Sequence, residues 1–253
     1  MPNLLCSWLV AAVLGAAACA PVLARELLVV GTHFPRLFMQ EAGAPVQGLG
    51  VDILSLAAAR AGHSLRFELL PWARAQAMVQ AGQADILVGP YRTPERELKF
   101  AFSQLAFYED ALVFYARRSQ PPLWHGDFAE LRNHSIGLVH GWAYGEAFDQ
   151  ARPGLRLSTA LDVESGLKML LLGRIDLLAS NERNTRPVLE AQGWVDLLVR
   201  VGPQLGQLRG HFAYPHTPEG EALRDQLDRH LANLRSAGAL RELGERWGVK
   251  IPD

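Results

Sequence analysis

PWARAQAMVQAGQADILVG, Pro71 to Gly89, decides the fold, because its pattern returns in VESGLKMLLLGRIDLLAS, Val163 to Ser180. In the first copy Ala75, Met78 and Val79 fall at helical spacing, Gly82 ends the helix, and Asp85-Ile86-Leu87-Val88 reads as a buried strand. In the second, Asp162 suits an N-cap, and Val163, Leu167, Leu170 and Leu171 form the apolar stripe. Gly173 ends that helix and Ile175-Asp176-Leu177-Leu178 is the strand. Both copies therefore spell helix, glycine, one free position, apolar, aspartate, apolar, apolar. Glycine suits the left-handed position just past a helix end.

Matching strands precede the two copies. LLVVGTHF (Leu27 to Phe34) stops at Gly31, and SIGLVHGW (Ser135 to Trp142) stops at Gly141. Such short apolar runs fit parallel strands buried on both faces. Leu65, Phe67 and Leu69, and later Leu155 and Leu157, supply second strands, with helices over 51–61 and 145–151. The pattern predicts an α/β protein of two βαβ-type lobes with right-handed crossovers. Residues 111–116 and 210–215 read as the two hinge crossovers. Lobe 1 is expected over 25–115 plus 214–253, and lobe 2 over 116–213. The closing helices, with Leu223, Leu227, Leu231 and Leu234 and then Leu240, Leu243 and Trp247, are assigned to lobe 1 from the habit of such folds.

The chain has 253 residues, 49% of them hydrophobic, which is enough for two α/β units with their own cores. A formal net charge of −1 leaves no basic surface for nucleic acid, and the pair Arg117-Arg118 reads as a solvated face. Residues 1–24 carry no charged side chain, and Val22-Leu23-Ala24 before Arg25 resembles a secretory cleavage site. This predicts export to the periplasm with cleavage after Ala24. Lipidation at Cys19, or retention as an uncleaved anchor, stands as an alternative. Cys6 and Cys19 are the only cysteines, so the mature chain has no thiol, disulfide or Cys-based zinc site.

In open α/β sheets, ligands sit beyond the carboxyl ends of the strands. Here those ends carry Phe34, Tyr91, Trp142 and Tyr144, read either as aromatic walls of one cleft or as packing at the lobe edges. The pieces GLGVDIL (Gly48 to Leu54), Pro71 to Gly89, TPERELKFAFS (Thr93 to Ser103), HSIGLVHGWAYG (His134 to Gly145) and GRIDLLAS (Gly173 to Ser180) resemble the family 3 extracellular solute-binding proteins. The likeness covers essentially the whole mature chain and rests on the order and spacing of the pieces. It implies a two-lobed Venus-flytrap fold that closes on a small polar ligand, a monomer, and an inner-membrane ABC permease as partner. It implies that Arg96, in the segment that starts at Thr93, forks the carboxylate of the ligand. It also implies that Phe34 stacks on the ligand and that Trp72 forms another wall.

The chain departs from that pattern at three places. Tyr91 and Arg92 stand where a small hydroxyl residue usually helps hold the carboxylate. Asn181, with Glu182 beside it, stands where the second lobe usually offers an aspartate to an ammonium. Trp142, Ala143 and Tyr144 replace small or hydroxyl residues. These changes point away from an ordinary α-amino acid and toward a larger carboxylate, an aromatic amino acid or a cation held by π faces.

Other chemistries have less support. His33 and His140 lie at equivalent strand ends without metal-ligand spacing around them, so no metal is expected. The sequence has no nucleophile elbow and no glycine-rich phosphate loop, so neither catalysis nor a cofactor is expected. A cyclohexadienyl-dehydratase-like enzyme would need a cleft acid, for which Glu182 is the candidate. A ligand-sensing module acting through a membrane partner is a third class.

Overall fold

A computed structural model describes residues 25–252, so the expected export signal and both cysteines lie outside the described residues. In chain order the elements are β1 (Glu26–Gly31), α1 (Leu49–Ala61), β2 (Ser64–Leu69), α2 (Trp72–Gln80) and β3 (Ile86–Tyr91). The one-turn α3 (Pro94–Glu97), β4 (Phe100–Phe102) and the long β5 (Tyr108–Arg117) follow. Next come β6 (Ser135–Val139), α4 (Glu146–Ala151), β7 (Arg156–Ala160), α5 (Val163–Leu171), β8 (Leu177–Asn181) and α6 (Glu182–Gln192). The chain ends with β9 (Leu198–Pro215), α7 (Pro218–Ser236) and α8 (Ala239–Trp247).

The described strands form one curled sheet in the order β2-β1-β3-β9-β5-β8-β6-β7, with β4 paired to β9. Its two ends are alike. β1 lies parallel to β2 and β3, and β6 lies parallel to β7 and β8. Two long antiparallel strands, β5 and β9, join these ends and run through both lobes. The inner strands of each group, β1 and β3, and β6 and β8, are buried on both faces, as their apolar sequences require, while the edge strands β2 and β7 are partly exposed.

Alternation along the strands sends neighbouring side chains into different cores. In lobe 1, Leu27 and Val29 pack under α1, α7 and α8, while Val30 and Leu87 pack with Ala75 and Val79 of α2. The C-terminal helices thus complete lobe 1. In lobe 2, Leu112, Phe114 and Ala116 face Ile136 and Phe148, while Val113 and Tyr115 face Leu167, Leu170 and Leu189. Leu112 onward therefore belongs to the second lobe, whereas Phe212 and Tyr214 pack in the first. Packing passes from one core to the other near residues 111–112 of β5 and 208–210 of β9. β5 and β9 run unbroken through the crossings, so no turn or linker marks them. The β5–β9 register also slips between Leu112 and Phe114.

The repeated aspartates tie these parallel groups together. Asp85 Oδ2 accepts the Leu28 N–H at 2.7 Å, and Asp176 Oδ2 accepts the Ser135 N–H at 2.8 Å. Each aspartate N–H in turn donates to the same residue's carbonyl, at 2.9 Å for Leu28 and 2.8 Å for Ser135. The motif is therefore a clasp between the start of one strand and its neighbour. Gly82 and Gly173 both stand at φ +69°, the left-handed turn out of the preceding helix that glycine adopts without strain.

Partial burial pushes the Asp176 carboxyl up. The Ser135 N–H and O–H donated to it, with His134 and Arg117 nearby, outweigh burial and hold it below the usual aspartate value. A depressed carboxylate adds stability above its unfolded pKa, and loses it as pH falls through the folded pKa. Asp176→Ala should therefore cost about 1–2 kcal/mol at neutral pH. In urea melts the gap to the parent should narrow below about pH 4. A gap that stays constant across that range would show that the charge plays no part.

Candidate functional site

The carboxyl ends of the parallel strands and the hinge strand β5 converge between the lobes. Phe34 follows β1, Trp72 opens α2, Tyr91 ends β3 and Arg96 lies in α3. Tyr108 and Asp110 start β5, Trp142 and Ala143 follow β6, and Arg183 and Asn184 open α6. Thr93 makes the turn that sets Arg96, its Oγ1 accepting the Arg96 N–H at 3.3 Å as the N-cap of α3.

The residues lining the inner cavity leave only about 20 Å³ between them, room for roughly one water. An outer vestibule of about 1030 Å³ adjoins it, and Arg96, Trp142 and Ala143 border both spaces. The lobes are therefore shut, and a ligand of amino-acid size enters only if they part or the side chains move.

Arg96 is buried and has no acidic partner in the cavity. Its Nη1 donates to the Tyr91 carbonyl at 3.0 Å, and its Nη2 crosses to the Gly141 carbonyl of lobe 2 at 2.9 Å. Its guanidinium carbon sits 5.8 Å from the Trp72 ring centre, and Trp72 Nε1 donates to the same Gly141 carbonyl at 3.3 Å. Burial lowers the Arg96 pKa from the usual arginine value, countered in part by Tyr108, Glu95 and Tyr91. The group stays cationic at any physiological pH. Its hydrogen bonds therefore go to carbonyls, which leave its charge uncompensated.

Arg183 is also buried, but it is paired. Its Nε donates to Asp110 Oδ1 at 3.1 Å and its Nη2 to Asp110 Oδ2 at 2.5 Å, with side chains only 8% and 7% exposed. Burial alone would lower the Arg183 pKa, but the Asp110 carboxylate raises it above the usual arginine value. Arg183 Nη1 reaches the Pro35 carbonyl of lobe 1 at 3.2 Å, so the pair also bridges the lobes. Tyr91 donates its hydroxyl to Asp110 Oδ2 at 2.7 Å and accepts from Asn181 Nδ2 at 3.2 Å.

Of the residues singled out in the sequence, Phe34, Trp72, Tyr91, Arg96 and Trp142 surround the inner cavity, with Phe34 set edge-on to Trp72 at 5.5 Å. Thr93 lies at the vestibule. Asn181 is buried as the N-cap of α6, its Oδ1 accepting from Asn184 N and Nδ2 at 2.9 and 3.0 Å. Two expected residues lie elsewhere. Tyr144 is a core residue of lobe 2, its hydroxyl accepting the Val139 N–H at 2.6 Å and its ring against Phe148. Glu182 is 63% exposed and stands 3.7 Å from Arg186, because the first position of α6 points to solvent. The next residue, Arg183, turns inward instead. Arg183, Asp110 and Tyr108 went unread in the sequence because their contacts span 73 residues between Asp110 and Arg183, and 19 between Tyr108 and Gly89.

His33 and His140 are exposed at the strand ends. Among the described residues, no three His, Cys, Asp or Glu side chains gather to hold a metal, and no helix is long and apolar enough to cross a membrane.

Two α/β lobes joined by paired hinge strands, with buried cations and aromatic rings at their junction, define a ligand-binding protein of the clamshell type. The chain belongs to the bacterial extracellular solute-binding proteins, family 3, whose model matches residues 27–250. No curated protein matches it in sequence. Among solved structures it is similar to a histidine kinase sensor domain with similarity to periplasmic binding proteins, at 20% identity and a TM-score of 0.79, over 90% of this chain and 99% of that one. It is similar to EhuB in complex with hydroxyectoine, at 23% identity and a TM-score of 0.73, over 89% of each chain. It is also similar to the substrate-binding protein of an amino-acid ABC transporter, at 19% identity and a TM-score of 0.72, over 88% and 98%. These likenesses establish the fold.

Removing one member of a buried ion pair leaves the other uncompensated. Asp110→Asn should destabilise the protein by about 3–5 kcal/mol. Asp110→Asn with Arg183→Met should recover a substantial part, as read by chemical denaturation of the double-mutant cycle. Purely additive losses would show that the two side chains do not depend on each other.

Proposed function

We propose that the protein is a periplasmic receptor that captures a small carboxylate-bearing solute between its lobes and delivers it to an inner-membrane ABC permease. One observation carries this reading: the buried guanidinium of Arg96 lies at the junction of the lobes with only backbone carbonyls for partners. A carboxylate offers two oxygens to the guanidinium fork and neutralises it, which two carbonyls do not. A ligand at that position touches both lobes and so favours the closed form, as ligand-driven closure requires. The family supports an extracellular site of action. On this reading residues 1–24 are the export signal, cleaved after Ala24, with lipidation at Cys19 as the alternative.

The similarity to a histidine kinase sensor domain favours a second output for the same cleft. A closed receptor then reports its ligand to a membrane partner rather than releasing it into a permease. Both outputs use the same binding chemistry and differ in which membrane protein the closed form meets. The dehydratase reading depends on Glu182 as an acid in the cleft, and that side chain faces solvent.

Arg96→Ala should weaken the best ligand from a thermal-shift screen of amino acids, polyamines and organic acids by about 2–5 kcal/mol, as for a truncated buried charge pair. Calorimetric titration checks it, and unchanged affinity would remove Arg96 from the site.

A further inference from the structure

We infer that the cleft selects carboxylates carrying no ammonium group: deaminated acids with a flat or apolar body, such as arylalkanoic, hydroxy or keto acids. This rests on the carboxylate-receptor reading and narrows its ligand class.

The argument is one of charge and of hydrogen-bonding capacity. Two guanidiniums, those of Arg96 and Arg183, line the inner cavity, and the carboxylate that pairs with Arg183, that of Asp110, lies outside its lining. The charge of Asp110 is balanced by Arg183, and it accepts three hydrogen bonds, one oxygen from Arg183 Nε and the other from Arg183 Nη2 and the Tyr91 hydroxyl. The cavity therefore presents one uncompensated positive charge, that of Arg96. A monoanion neutralises it. A zwitterionic amino acid adds an ammonium that needs an acceptor of its own.

Among the side chains lining the cavity the free amide acceptor is Asn184 Oδ1, which is neutral and supplies no charge to an ammonium. Asn181 Oδ1 already accepts two N–H groups from Asn184. The aromatic faces already lie against cations, with the Arg183 guanidinium 5.0 Å from the Tyr108 ring centre and 5.8 Å from that of Phe34, and Arg96 5.8 Å from that of Trp72. An ammonium on those rings would lie beside like charges. Glu95, Glu146 and Asp149 border only the outer vestibule, where solvent screens them. A buried ammonium without a partner is costly, and an acid that lacks one avoids that cost.

Calorimetric titration of the ligand-stripped full mature chain tests this with matched pairs. The pairs are phenylalanine with 3-phenylpropanoate, tryptophan with indole-3-propanoate, and leucine with 4-methylpentanoate, with 3-phenylpropanamide as the uncharged control. The expected result is that the deaminated member of at least one pair binds roughly ten- to a hundredfold more tightly than its amino acid, and that the amide does not bind. An amino acid that binds as tightly as its deaminated partner or more tightly, with the amide still inert, would overturn the inference and leave the carboxylate receptor intact. In that case the Tyr91 and Gly141 carbonyls released by Arg96 would hold the ammonium. Binding of the amide as tightly as the acid, or no binding in any pair, would overturn both.

Discussion

A guanidinium without an acid partner, buried where two lobes meet, is the constraint on which the rest of the structure depends. Arg96 needs two acceptors, and in the closed form they come from different lobes: the Tyr91 carbonyl of lobe 1 and the Gly141 carbonyl of lobe 2. The contact makes closure depend on what Arg96 bonds. Carbonyls satisfy its hydrogen bonds but leave its charge uncompensated in a poorly solvated place. A carboxylate satisfies both needs, so on the proposed reading the side chain that holds the lobes together in this form is also the one that a ligand engages. Arg183 provides the contrast. It is equally buried, yet Asp110 neutralises it, so it acts as a bridge between lobes with no charge left for a ligand.

The sheet makes this geometry available. Two parallel groups, each clasped by an aspartate at the same place in the repeat, direct their strand ends toward one another. The antiparallel pair β5 and β9 links them and carries Tyr108 to the cavity, with Asp110 beside it holding Arg183. These strands cross between lobes without breaking, and their register slips near the first crossing. The cavity as it stands has room for about one water, and on the proposed reading a rotation of the lobes would open it.

Much of this is legible in the chain. The parallel strands announce themselves as short apolar runs, and the repeat around Asp85 and Asp176 announces the duplication. Arg96, Phe34, Trp72, Tyr91 and Trp142 reach the cavity because strand-end and helix-start positions converge in such a sheet. What the sequence hides depends on direction and distance. Tyr144 lies two residues after Trp142, but only the fold turns its hydroxyl back to Val139. Glu182 and Arg183 are neighbours, and the pitch of α6 sends one to solvent and the other inward. The pairing of Arg183 with Asp110 has no local signature at all. The lobe crossings are hidden for another reason: β5 and β9 run as continuous strands through both lobes, so no turn or linker shows where the chain changes lobe.

The most direct measurement is a crystal structure of the protein with its tightest-binding acid. The account predicts the carboxylate forked by Arg96 between the lobes, with at least one of the Tyr91 and Gly141 carbonyls displaced from the guanidinium. An acid lodged elsewhere, with both Arg96–carbonyl contacts intact, would contradict it.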